Sequence, residues 1–96
     1  MDEKKLVERK LQARLDEWKA EIDKLKAKAD GASADAQLEF SRQIRDLELK
    51  LEDGSNRLSE MSKASGEAWA TLRQGLESAW DSLSTAMAEA ASKFKQ

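Results

Sequence analysis

A change of hydrophobic period near Ser65 constrains this chain more than any other feature. From Val7 the apolar residues step by three and four, through Leu11, Leu15, Trp18, Ile22, Leu25, Ala29, Ala32 and Ala36, and resume at Phe40, Ile44, Leu47, Leu51, Leu58 and Met61. Such a heptad seam belongs to a helix that lies along another helix. Beyond Ser65 an eleven-residue unit takes over: Ala68, Ala79 and Ala90 coincide, as do Trp69 and Trp80, then Leu72, Leu83 and Phe94, then Leu76 and Met87, and the small pair Gly75 and Ala86. Eleven residues make about three helical turns, so these positions form one continuous stripe on a straight helix.

Composition agrees with long helices. Hydrophobic residues make up 40% of the chain and charged residues 38%, with four glycines and no proline. That mixture suits coiled coils better than sheets or a rounded globule. The 17 basic and 19 acidic residues nearly cancel, so no single-sign field gathers nucleic acid or anionic lipid from a distance. Exposed pairs at helical spacing, such as Asp23 with Lys26, Lys26 with Asp30 and Asp46 with Lys50, add only about 0.2–0.5 kcal/mol each. Burial of the seam must therefore supply most of the stability.

Three stretches qualify as breaks: Asp30-Gly31-Ala32-Ser33-Ala34-Asp35, Asp53-Gly54-Ser55-Asn56 and Lys63-Ala64-Ser65-Gly66-Glu67. The apolar spacing runs through the first two, with a stutter from Ala36 to Phe40 to Ile44, and Gly54 itself occupies a seam position where it makes room for a bulky side chain from a facing helix or ends its own. The third carries the change of period, with Ser65 available as an N-cap and Glu67 in the first turn. The expected fold is all-α: an elongated coiled-coil helical hairpin, with a long first helix over about 3–63 and a shorter amphipathic helix over about 66–94. Residues 1–64 and 65–96 then form one structural unit. Facing residues across a turn at Ser65 have numbers summing to roughly 130, which sets Leu76 near Gly54 and Phe94 near Ala36. The alternative fold has three helices of similar length, broken near Gly31 and Ser65, in a spectrin-like bundle.

In the hairpin the second helix covers only the nearer half of the first. The seam residues Leu11, Leu15, Trp18, Ile22 and Leu25 are then left for a second chain, which makes a homo-oligomer, with a dimer favoured, the expected state. The stripe of Trp69, Leu72, Leu76, Trp80, Leu83, Met87 and Phe94 serves helix packing or, when released, the apolar surface of a client protein or a membrane. A lipid-surface helix usually carries lysines along its apolar border, whereas only Arg73, Lys93 and Lys95 stand here against Glu67, Glu77, Asp81 and Glu89.

Catalytic templates are not matched. The chain has no cysteine and no histidine, hence no disulfide, thiolate nucleophile or sulfur-ligated metal, and none of the commonest proton shuttle. The acids lie on solvated faces, and Asp30-Gly31 and Asp53-Gly54 lack the alternating ligands of a calcium loop. No enzymatic activity, cofactor, metal or nucleic-acid partner is expected. Without an apolar signal core or a membrane-length apolar run, a cytoplasmic location is the default.

Leu11 to Asp30, with its Leu15-Asp16-Glu17-Trp18 core, Ala64-Ser65-Gly66-Glu67-Ala68-Trp69, Gly75-Leu76-Glu77-Ser78-Ala79-Trp80-Asp81-Ser82-Leu83 and Ala91-Ser92-Lys93-Phe94 together resemble short bacterial coiled-coil proteins often labelled stress-response proteins. The resemblance spans nearly the whole chain and departs at Asp53-Gly54-Ser55-Asn56. It implies an elongated all-helical protein associated with stress tolerance, and no catalytic residues to carry over.

Overall fold

A computed structural model of the chain describes residues 3–94. These form three α-helices of nearly equal length, α1 (Glu3–Asp30), α2 (Ala34–Lys63) and α3 (Gly66–Phe94), running up, down and up in a rod of 50 × 21 × 18 Å. The expected single helix over 3–63 is therefore corrected: it is divided after Asp30, and the hairpin expected at Ser65 is the α2–α3 half of a three-helix bundle.

The physical reason for the division lies in α1. Leu15, Trp18, Ile22, Leu25 and Ala29 are all buried, against the other two helices of the same chain. A continuous helix in a lone chain would leave the four large ones in water, and burying each is worth roughly 1.5–3 kcal/mol. The break itself is inexpensive because its polar groups are satisfied. Ser33, with φ −64° and ψ 161°, is the N-cap of α2, its Oγ accepting the Ala36 N–H at 3.4 Å. The Gln37 amide donates from Nε2 to the carbonyls of Asp30 and Ala32, each at 3.1 Å, so it replaces the donors that a continuing helix would have supplied. The stutter from Ala36 to Phe40 to Ile44 falls inside the first turns of α2, just after this reversal, and from Phe40 onward the three-four seam is regular.

Gly54 does not break α2. It lies inside the helix, buried, with a negative φ. A Cβ placed on it would meet Trp80 Cζ3 at 3.1 Å and Leu15 Cδ2 at 3.7 Å, so the glycine is a notch that admits the indole of α3. At the far end, the extended Ala64 (φ −82°, ψ 153°) closes α2, its N–H returning to the Met61 carbonyl, and Lys4 Nζ of α1 donates to the Ala64 carbonyl at 2.9 Å. The extended residue carries the chain onward before it reverses. Accordingly α2 and α3 pair about one helical turn away from the expected register: Phe94 stacks on Phe40, ring centroids 4.1 Å apart, and Trp80 instead of Leu76 occupies the Gly54 notch.

The core runs the length of the rod and contains no buried polar or charged residue among the described residues. Met61, Leu76 and Leu83 are its most enclosed members. Gly75, by contrast, is exposed in mid-α3, where a Cβ would make only ordinary contact, 3.5 Å from the Arg57 guanidinium. Gly75→Ala is therefore expected to stabilise the bundle by about 0.5–1 kcal/mol through helix propensity. A rise in the urea midpoint with an unchanged slope would show it, and a fall would mean that Arg57 cannot yield.

Candidate aromatic interface between the first and third helices

The two stripes expected to serve separate partners meet inside one molecule. Of the seam residues, Leu15, Trp18, Ile22 and Leu25 are core, and Leu11 is partly buried against it. Of the α3 stripe, Leu76, Leu83, Met87 and Phe94 are core, while Trp69, Leu72 and Trp80 are partly buried at its edge. The surface expected to await a second chain is thus already covered by the chain's own α2 and α3.

The covering is uneven. Both α1 and α3 pack extensively on α2, but they approach each other much less closely. One place where they meet is Trp18 with Trp80, ring centroids 5.3 Å apart and planes tilted by 54°. A groove of about 380 Å³ opens on one side of this pair, floored by Val7, Leu11, Leu76 and Trp80 and rimmed by Lys10 and Asp81. A second groove, of about 330 Å³, opens on the other side between Trp18 and Met87. Heptad geometry explains the position of Trp18, which shares a face with Leu15 and Leu25. Trp80 follows from the eleven-residue stripe combined with the missing side chain at Gly54.

Cations stand on the aromatic faces. The Arg14 guanidinium lies 5.3 Å from the Trp18 centroid and also pairs with Glu17 at 3.3 Å. Arg73 lies 5.4 Å from the Trp69 centroid and pairs with Glu77 at 3.2 Å. Because Arg73 is engaged in this way, α3 offers little free positive charge to an anionic surface; Lys95, counted with it in the sequence, lies outside the described residues. Trp69 is partly buried against the core, in keeping with the helix-packing role expected of the stripe. Its Nε1 is buried and finds no acceptor among the described residues.

Between α1 and α2 the cleft is polar. It encloses about 440 Å³ and is crossed by Lys26 Nζ to Glu48 Oε2 at 2.9 Å. Of the intrahelical pairs expected from spacing, Asp46 with Lys50 is formed at 3.4 Å, whereas Lys26 turns from Asp23 and Asp30 to the neighbouring helix. The hydrogen bond to Glu48, and then its charge, raise the Lys26 pKa above 10.5. A raised pKa favours the folded state below the unfolded value of the amine, and that contribution is lost as pH climbs through the folded value. Lys26→Met is therefore expected to flatten the alkaline fall in melting temperature above about pH 10.4. Near pH 7 it should lower the midpoint by the same small amount that no longer falls away on the alkaline limb, small because the pair is exposed. An unaltered alkaline limb would contradict this assignment.

Sequence reasoning passed over the two side chains that close the first turn, Ser33 and Gln37. Their signal was present, a serine two residues after Gly31 and followed by Asp35, but it sat inside a stretch whose apolar spacing reads as continuous helix. Phe40 was legible as a seam residue and is now seen to hold Phe94.

Among the described residues no helix is long and apolar enough to cross a membrane, and no cluster of acids is arranged to hold a metal ion. No protein-family model matches the chain, and neither a curated protein nor a solved structure is significantly similar to it.

Proposed function

We propose that this chain is a non-enzymatic interaction protein that lends the aromatic face between α1 and α3 to apolar surfaces of other macromolecules when the two helices part. The observation that carries this reading is the location of the Trp18–Trp80 contact, which lies between two grooves along the least intimately packed of the three helix interfaces. Separation there uncovers Leu11, Trp18, Leu76 and Trp80 while the α2–α3 pair, held by Gly54 with Trp80 and Phe40 with Phe94, remains whole. A role in stress tolerance accords with the resemblance to short bacterial coiled-coil proteins, since unfolding clients are then abundant.

A purely architectural bundle is the second reading, favoured by the unbroken apolar core. The two are separated with the full-length chain by following tryptophan emission and client light scattering while an aggregation-prone enzyme is heated, and emission alone with neutral and anionic vesicles. Suppressed scattering together with an emission change supports client binding. An emission change with vesicles alone moves the role to lipid surfaces, and emission indifferent to client and vesicles leaves only the architectural role.

A further inference from the structure

We infer that the segment Gly31–Ser33 is a hinge through which α1 exchanges between two copies of the chain, giving a domain-swapped dimer in which α1 and α2 are one continuous helix. Four observations meet here. The turn contains no residue with positive φ among the described residues, and the chain has no proline, so nothing in its backbone forbids a helix through residues 31–33. Ala29 and Phe40, the last core residue of α1 and the first apolar seam residue of α2 packed on the core, are eleven apart, about three turns. If the hinge became helical, both seams would fall on one face, as an antiparallel pair of long helices requires. The closed hinge is held by two side chains, the Ser33 Oγ cap and the Gln37 amide on the carbonyls of Asp30 and Ala32, together with the Gly31 and Ala32 N–H groups on the carbonyls of Lys28 and Ala29. Finally, α1 meets α3 much less closely than it meets α2, with Trp18 on Trp80 among the contacts between them.

In the swapped form α1 of each copy lies against α2 and α3 of the other. Every contact that α1 makes in the closed chain is remade between chains, Leu15 on Gly54, Trp18 on Trp80 and Lys26 with Glu48 among them, while α2 and α3 of each copy keep their own contacts. The interface is two-fold and closes on itself. What differs is the hinge, where the Ser33 and Gln37 bonds are exchanged for helical ones, and the entropy of association, so concentration selects the dimer. The inference needs α1 to part from α3, as above, and from α2 as well, but not the binding of any client. It is read by mass and length, whereas the functional reading is read by emission and scattering.

Two variants push the hinge in opposite directions. Gly31→Ala combined with Ser33→Ala and Gln37→Ala removes both locks and raises helix propensity, and Gly31 has room for a Cβ, its nearest neighbour being the Lys28 carbonyl at 3.7 Å. This variant should raise the dimerisation constant at least about tenfold, the size of effect that 1.4 kcal/mol produces. Ala34→Pro fits the closed hinge, since Ser33 already has the extended backbone that a following proline demands and residue 34 opens α2. It cannot fit a continuous helix, and should abolish the dimer.

Solution mass and small-angle scattering are measured for wild type and both variants after refolding at high concentration. The dimer is expected to have a length of roughly 90 Å, the span of a helix over residues 3–63 at 1.5 Å per residue, against 50 Å for the closed chain. Zero-length carbodiimide coupling of Lys26 to Glu48, on mixed light and heavy nitrogen-labelled chains, then asks which chain each partner belongs to. Mixed-label peptides from the dimer establish the exchange. A triple variant that stays monomeric, a dimer yielding only same-chain peptides, or a dimer that persists in Ala34→Pro would each overturn it. Should the triple variant fail to fold, comparison of wild type with Ala34→Pro still decides.

Discussion

Trp18→Ala is expected to lower the unfolding free energy by about 3–5 kcal/mol, the range for truncating a large buried aromatic. The ring is only 7% exposed, rests on Trp80 at 5.3 Å and is roofed by Arg14. Its removal takes away an aromatic contact between α1 and α3 and leaves a void beside the groove it lines. For a domain of this size the total stability is on the order of 5–15 kcal/mol, so the variant should stand close to the edge of folding at room temperature. Urea unfolding followed by circular dichroism measures this directly, with Trp69→Ala as the comparison. Trp69 is only partly buried and its indole nitrogen is unpaired, so its loss should cost clearly less. Equal losses would mean that Trp18 holds no special place at the junction.

The second large effect is expected at Gly54. Gly54→Leu forces a branched side chain into the space of the Trp80 ring, only 3.1 Å from where the new Cβ would stand, with Leu15 closing the other side at 3.7 Å. Overpacking of this kind typically costs about 1–3 kcal/mol, and here it must also overcome a helix-propensity gain of nearly 1 kcal/mol. The diagnostic measurement is the double variant with Trp80→Ala. Removing the ring vacates the notch for the new leucine, so the pair should cost at least about 0.5 kcal/mol less than the two single losses added together. Additive losses would show that the leucine and the indole do not compete for one space. In that case the packing of α3 on α2 would need another explanation.

The same residues show how far the chain could be read in advance. The seam of Leu15, Trp18, Ile22 and Leu25 and the stripe of Leu76, Leu83, Met87 and Phe94 were legible as faces that must be covered, because apolar spacing reports on burial directly. Gly54 was legible as a seam position with two meanings, to end a helix or to admit a bulky neighbour; Trp80 selects the second. The reversal at Ala64-Ser65 was marked by the change of period and lies where it was expected. The turn at Gly31–Ser33 was not resolved, because alanines continue the spacing through it and Ser33 and Gln37 act only once the turn exists. Register across the second turn was missed by about one helical turn, since the extended Ala64 adds length that equal rise per residue does not count.

What the sequence by itself determined is helicity, the width of each apolar face and the absence of anything that would stop a helix firmly, proline above all. Which surface covers the seam of α1 was decided only in three dimensions. A heptad seam specifies the shape of its partner but not the chain that supplies it, and a tethered helix a three-residue turn away is present at far higher effective concentration than any second molecule. That advantage brings Trp18 against Trp80 of its own chain and folds the expected long rod back into a bundle.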